Sequence, residues 1–565
     1  MSVQGLALTS FTGGLNLRRN EFSLAEGESP DMLNVEVDER TGFYTRPGWN
    51  RWNSADIIGS PTGANWDPRN AYAHPLSNGS FYIFVANGTT IHSATATASF
   101  ADLSVTVGAE PHLADFASWG NICYMVAGRG NQTIRKDGAF AHTLLTAPGS
   151  GTYNNDYTNP AGGYMPKAEY VEAHSGYIFV AYINEDADGL GAVDYPNRLR
   201  WSHPDQAEDW AELDYIDIWA GGGRITGLKS FQDHLLIFKE DSVWALYGYD
   251  SDSWQLVRIS RAVGCPSPSS ITRSPGAVFF FSPSSTRPGI YAYLGRGEPE
   301  YISDPLETAF EALSLNDLDD VYLGWTGRRL WVSIPWDGDN AALTYPGSVF
   351  VLDPSVGGGE SPHGGSSHMN DVGAWMLHRP ALGKLNGIIE GADVLVDHPL
   401  GVMHGDSGAA CLIELDAVTT AAQDQILTGG TQSTYEARYR TKWIIGEGIE
   451  LRKSWLRPRY VVGVTPVDMT IDVGTFIDYN ESAPVNTQYL DLVSEGTSVW
   501  NGTTWNGGTW NGTPLGSVVT RTRTGSKLAL ARSVSLRFST NSGSLGKHWS
   551  VSGIEMKLNP RKFTT

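Results

Sequence analysis

The string His404-Gly405-Asp406-Ser407-Gly408 copies the surroundings of a nucleophilic serine. In Gly-Asp-Ser-Gly a strained turn can expose the hydroxyl beside two backbone amides that hold an oxyanion. The chemistry also needs a base histidine, itself oriented by a buried carboxylate. No Thr-Ala-Ala-His-Cys-like strand accompanies the string to supply one. Asp-Ser-Gly is also an ordinary β-turn sequence, and the string reads as a turn.

Asn184, Asp186, Asp188 and Gly189 copy the opening of a calcium loop. The twelfth position is Tyr195, where such a loop needs a bidentate glutamate, and the flanking helices are missing. A polar turn is the simpler reading. Asp250 and Asp252, and Asp337-Gly338-Asp339, are shorter and read as turns too. No glycosidase pair can be picked from 61 acidic residues, and the Ser-x-Asp-x-Gly-x-Thr-Trp boxes of sialidase propellers are absent. The 13 histidines form no His-x-x-x-His pair, and no Gly-rich loop leads into Lys-Ser or Lys-Thr. The sequence thus predicts no catalytic residue, no cofactor and no metal ligand, and a chain that is not an enzyme.

Trp500, Trp505 and Trp510 recur every five residues, each followed by Asn-Gly. That period suits neither strand nor helix, and Asn-Gly breaks each unit into a turn. The reading is a protruding loop of indoles at an interface. The alternative is that the three rings pack on their own domain.

The elements that carry these residues follow from composition and pattern. At 565 residues the chain is too long for one ordinary domain. Sixty-four Gly, 29 Pro, 19 Trp and 24 Tyr, with only 18% charged residues, point to short strands and many turns, an all-β protein. Net charge is −21 and uneven: residues 435–565 carry 16 basic and 10 acidic groups, leaving 24 and 51 for the first 434. An acidic body does not attract nucleic acid, yet like charge lets it line a passage without sticking. Cys123, Cys265 and Cys411 are odd in number and scattered, against a disulfide framework or a zinc motif. The N-terminus has no secretory signature and no run approaches a membrane span, so assembly in a reducing cytoplasm is expected.

Hairpin patterns recur from residue 61 to 434. Phe81–Ala86 and Thr89–Ser93 flank Asn87-Gly88. Ile122–Val126 pairs with Gln132–Arg135, and Tyr177–Ile183 reads as buried on both faces. Between Arg198 and Gly248 the apolar runs 225–228, 235–238 and 243–247 are split by Gln232-Asp233 and Glu240-Asp241, an antiparallel meander. A spacing of roughly 40 to 60 residues is blade-sized and predicts a β-propeller of roughly six or seven irregular blades. Gly357–Ser367 reads as a flexible loop and Ala421–Thr434 as a linker. Residues 1–60 read as an N-terminal docking arm, or as a terminal strand closing the first blade. Period-two strands after Tyr435 predict a separate antiparallel β-sandwich over 435–565.

The order Arg198-x-x-Trp201-Ser202, a Trp210-bearing loop, Ile225-Thr-Gly-Leu228, Leu235-Leu-Ile-Phe-Lys-Glu240 and Ser242-Val-Trp-x-Leu-x-Gly248 resembles bacteriophage tail nozzle proteins, the tail tubular protein B family. Val263-Gly264-Cys265-Pro266-Ser267 and Gly289-Ile290-Tyr291 extend the likeness. So do Gly13-Gly14-Leu15-Asn16, Leu33-Asn34-Val35 and Arg46-Pro47-Gly48. It touches the first 60 residues and roughly 200–310. The resemblance implies a β-propeller structural protein of the virion tail, forming a homo-oligomeric ring of six copies through which viral DNA is ejected. Its implied partners are portal and adaptor proteins, tail fibres or spikes, and DNA in transit, without stable membrane insertion. A receptor-binding or fibre-anchoring hub and a carbohydrate-degrading tail enzyme are the alternative readings.

Overall fold

The computed structural model describes residues 4–560, apart from 59–69, 335–346, 357–372, 390–398, 425–432, 493–518 and shorter internal runs. Contacts group the chain into two units rather than consecutive segments. Arg51–Val349 with Leu382–Glu414 form one; Met1–Asn50, Phe350–Ala381 and Leu415–Thr565 form the other. Among the described residues the α-helix is the single turn Glu307–Glu311, and no helix is long and apolar enough to cross a membrane.

The first unit is a β-propeller. Five four-stranded antiparallel sheets follow one another, each a meander in chain order. They open with Asn70–Pro75, Ala114–Trp119, Lys167–His174, Ile225–Phe231 and Ile271–Arg273. The sixth begins with the hairpin Tyr322–Thr326 and Arg329–Ser333, the seventh with Lys384–Ile388 and Leu400–His404. Each opening strand touches that of the next sheet, and the seventh returns to the first, so seven inner strands make a closed ring. Ile57–Ile58 pairs with Ala409 and Ala410, and the Trp52 N–H donates to the Leu412 carbonyl. A strand from the start of this unit therefore completes its last sheet, which closes the ring without a covalent bond.

Why these runs become blades is visible in how they bury. Along Tyr177–Glu185, Phe179 and Ala181 face the fourth sheet with Leu235 and Ile237, while Ile178 and Val180 face the second with Tyr124 and Val126. Alternate side chains point to opposite faces of a strand, so a sheet between two neighbours needs apolar residues at every position. The same layering places Phe84 against Phe116 between the first two sheets, and Phe238 against Phe280 between the fourth and fifth. The predicted hairpins are present, with Tyr124 opposite Arg135, but in the first Asn87 belongs to the strand, opposite Thr90, one residue away from the expected turn position. In the third sheet Arg198 grips Asp217 with bonds of 2.7 and 2.8 Å and reaches Glu185 at 2.6 Å. Its guanidinium lies between the rings of Tyr195 and Tyr215.

The second unit is an antiparallel β-sandwich. One sheet has the order Val519–Thr524, Arg459–Val464, Trp549–Pro560, Lys453–Trp455, Ala529–Ala531. The other runs Met32–Leu33, Arg438–Arg440, Ser533–Thr540, Met469–Ile477, Asn486–Leu492. The faces meet over an aromatic core: Phe43 stacks on Tyr439 at 4.0 Å and meets Phe538 and Trp549 edge-on. The N-terminal residues are woven in. Gln4–Leu8 pairs with residues 554–558, Met32–Leu33 with Tyr439 and Arg438, and Phe43 and Tyr44 with Val551 and Ser550. Gly14, in left-handed conformation (φ 67°), sits where a Cβ would come 2.6 Å from the Trp375 carbonyl oxygen.

One buried cation ties the three segments of this unit together. Arg46 and Asp424 have no exposed side-chain surface and are 2.8 Å apart. All five guanidinium N–H groups are used: Nε donates to Asn34 Oδ1, Nη1 to Asp424 Oδ1 and the Pro47 carbonyl, Nη2 to Asp424 Oδ2 and the Arg379 carbonyl. The planar group lies 4.5 Å from the Trp49 ring centre and 4.0 Å from that of Tyr435. Asp424 also accepts from the backbone N–H groups of Trp49 and Ala381. Asn34, at φ 52°, accepts from the Arg379 N–H and donates to the Glu436 carbonyl. The stretch 421–434 is thus no plain linker. Its described residues Gln423–Asp424 pair with Ser433–Thr434, and Asp424 delivers a carboxylate to the core.

Burial pulls the Arg46 pKa down, but Asp424, Tyr435 and Asp416 together more than offset this and hold it above the ordinary arginine value. Removing one partner of such a pair strands the other charge out of water. Arg46→Met is expected to cost about 3–5 kcal/mol of stability, read as a shift in the denaturant unfolding of the sandwich unit. A loss within experimental error would show that the pair is dispensable.

Candidate functional site

The inner strands of the propeller enclose a cavity of about 960 Å³, the size of a small-molecule site. All seven sheets contribute to its wall. Asp115, Glu172, Lys229, Arg273 and Arg328 give it mixed charge, and Tyr72, Phe231 and Trp325 give it aromatic surface.

Lateral bonds between neighbouring inner strands make this wall rigid. Asp115 of the second sheet accepts from its neighbour Phe116 at 2.9 Å and, across the gap, from the Val171 N–H of the third at 3.0 Å. Tyr72 and His74 of the first sheet lie 2.7 and 2.8 Å from Ser118 Oγ of the second. His174 of the third lies 2.8 Å from Ser230 Oγ of the fourth, and Arg273 of the fifth donates to the Ser230 carbonyl. The Trp325 N–H of the sixth donates to Thr272 Oγ1 of the fifth.

A serine beside a histidine is the beginning of a nucleophile–base pair, but neither pair is completed here. Nε2 of His174 faces Ser175 Oγ at 3.1 Å rather than a carboxylate. Beyond Ser118, His74 meets the Asn121 backbone rather than a carboxylate. Burial lowers both imidazole pKa values, that of His174 to about 4 with His234 adding to the effect. The repetition of one histidine–serine contact at two sheet junctions is that of a lateral clamp.

Burial pushes the Asp115 carboxyl up to about 6; its two backbone donors and Lys229 pull the other way. Between the unfolded value of 3.8 and about 6 the native state therefore binds more protons than the unfolded chain. Stability from this group is largest at low pH and declines as pH rises through that window. Relative to Asp115→Asn, the wild-type melting temperature is expected to fall between pH 4 and 6.5 and to level off above. Parallel curves for the two proteins would remove Asp115 as the titrating group.

The sequence-selected residues are placed unevenly. Residues 405–408, with Ser407, lie outside the described residues; His404 pairs with Ala410, so the string joins two paired strands. Trp500, Trp505 and Trp510 lie outside them too. In the calcium-like string Asn184 donates across the ladder to Asp194 of the next strand, and Asp186 accepts from the Gly191 N–H in the connection that follows; Asp188 and Gly189 lie outside the described residues. Asp250 accepts from the Ser253 N–H and closes a turn. The three cysteines are buried and unlinked. In the sandwich unit Glu36, His378 and Asp416 bring three metal-ligating side chains within 4.8 Å of one another. Sequence spacing did not signal this group, because its members come from three distant segments.

No family model matches the sequence, and no curated protein matches it. Solved structures do resemble the chain in shape. A virginiamycin B lyase from Staphylococcus aureus is 12% identical, with 64% of this chain and 98% of that chain covered and a TM-score of 0.36. A streptogramin B lyase is 11% identical, covering 64% and 97%, at 0.37. The N-terminal domain of Nup159 is 10% identical, covering 68% and 98%, at 0.30. The sequence reading that the chain is not an enzyme is corrected here, since two of these similar structures are lyases. At such identity and TM-score the likeness assigns this chain no reaction.

Proposed function

We propose that the chain is a structural component of a bacteriophage tail, a nozzle subunit whose copies form a ring through which viral DNA leaves. The observation that carries this reading is where the resemblance falls. Asn34 and Arg46 make the buried knot of the sandwich unit, and Gly14 allows the close approach to Trp375. Arg198 holds the charge cluster of the third sheet. Cys265 accepts from the Thr226 hydroxyl through its carbonyl and donates its N–H to Lys239. The shared motifs are thus fold-determining positions of both units rather than surface composition.

A cavity of about 960 Å³ inside one propeller takes a small molecule, not a duplex. The DNA passage in this reading therefore lies between copies, closed by rotational symmetry. The acidic surplus of the first 434 residues would face it, since basic walls hold DNA by counterion release while acidic walls let it slide. Portal or adaptor proteins and fibres or spikes are the neighbours, and the virion tail is the location.

Electron microscopy of the purified full-length protein tests the reading: closed rings, six-fold and with an acidic lumen, are expected. Particles that stay single at high concentration and in the virion, or a lumen lined by Lys and Arg, would contradict it. Replacing Trp500, Trp505 and Trp510 together by Ser is expected to impair assembly while leaving the circular dichroism spectrum and melting temperature unchanged. Each large side chain left in water costs about 1.5–3 kcal/mol, which an interface recovers. Loss of folding instead would assign the indoles to the sandwich core.

A further inference from the structure

We propose that Glu36, His378 and Asp416 form a binding site for one first-row divalent cation, zinc or manganese, inside the sandwich unit. One donor atom from each lies within 4.8 Å of the other two, and Glu36 Oε1 is 3.8 Å from His378 Nε2. Around an ion with bonds of about 2.0–2.2 Å, neighbouring donors stand about 3–3.5 Å apart, so small rotations of the side-chain ends close the set. An imidazole with two carboxylates suits zinc or manganese better than calcium or magnesium, which surround themselves with oxygen. Three protein donors leave a further position for water.

Two features prepare the donors. The Tyr44 hydroxyl donates to Glu36 Oε2 at 2.8 Å, which orients the carboxylate and leaves Oε1 directed at His378. Asp416 stands near the end of the strand Ala409–Val418 with φ 57°, a conformation that costs energy for a residue other than glycine and recurs at ligand sites. Charge points the same way. Beside Tyr435 the carboxylates of Asp424, Glu36 and Asp416 act together with the single guanidinium of Arg46, which is committed to Asp424. A dication offsets both Glu36 and Asp416, whereas one imidazolium offsets half of that charge. Glu36 and His378 are buried, so the ion would staple strand to strand.

The test is zinc or manganese titration of the chelator-treated full-length protein by calorimetry, with melting temperature as a second readout. One saturable site per chain is expected in the wild type, weakened at least tenfold by Asp416→Asn and by Glu36→Gln, with the metal-induced rise in melting temperature lost in both. Anomalous X-ray density from zinc-soaked protein is expected between Glu36 and Asp416, and decides the location if the variants do not fold. Absence of one-per-chain binding, density elsewhere, or unchanged affinity in folded variants would overturn the site.

Discussion

The sandwich unit depends on a positive charge that has no access to water. A guanidinium at Arg46 with no exposed surface survives only because five acceptors and two aromatic faces replace its hydration. Those acceptors come from residues 34 and 47, from Arg379, and from Asp424. Arg379 and Asp424 reach Arg46 only when their two segments, more than 300 residues further along the chain, have met the N-terminal one. The pair is therefore a register device as well as a contact: the unit cannot shift one segment without stranding a charge. The aromatic core of Phe43, Tyr439, Phe538 and Trp549 supplies the non-directional part of the stability, and the guanidinium makes the arrangement specific.

The propeller solves a different problem. A sheet with two apolar faces and two edges is an aggregation hazard unless its faces are covered and its series is closed. Here alternate residues of each strand enter the cores on either side, and Ile57–Ile58 with Trp52 completes the seventh sheet against Ala409, Ala410 and Leu412. Lateral bonds such as Asp115 to Val171 and His74 to Ser118 then fasten neighbouring inner strands. A rigid ring of this kind is a suitable body for an assembly that must hold its shape under load. The proposed nozzle role uses that rigidity and leaves the central cavity as a separate space.

What was legible in the sequence was local. Asn87-Gly88 signals a hairpin at this place, although Asn87 itself ends the strand opposite Thr90, and Tyr177–Ile183 is readable as doubly buried because no charged residue interrupts it. Repetition of such units implies a propeller, and seven inner strands agree with the predicted six or seven. The long-range pairings were hidden. Nothing in Gln4–Leu8 announces a partner at residues 554–558, and Asp424 sits in a weakly patterned polar stretch whose sequence does not show that its carboxylate is buried against Arg46. Glu36, His378 and Asp416 carry no spacing signature for the same reason, since folding alone brings them together. Arg46-Pro47-Gly48 was visible as a motif, but its meaning required knowing what lies opposite.

Hydrogen–deuterium exchange on the wild type and Asp424→Asn tests most directly whether one buried pair holds three segments as a unit. The account predicts that amides in Gln4–Leu8, Ala374–His378 and Trp549–Pro560 lose protection together in the variant, while those in His234–Lys239 of the propeller keep theirs. Loss confined to residues next to Asp424, with the distant segments as protected as before, would contradict it.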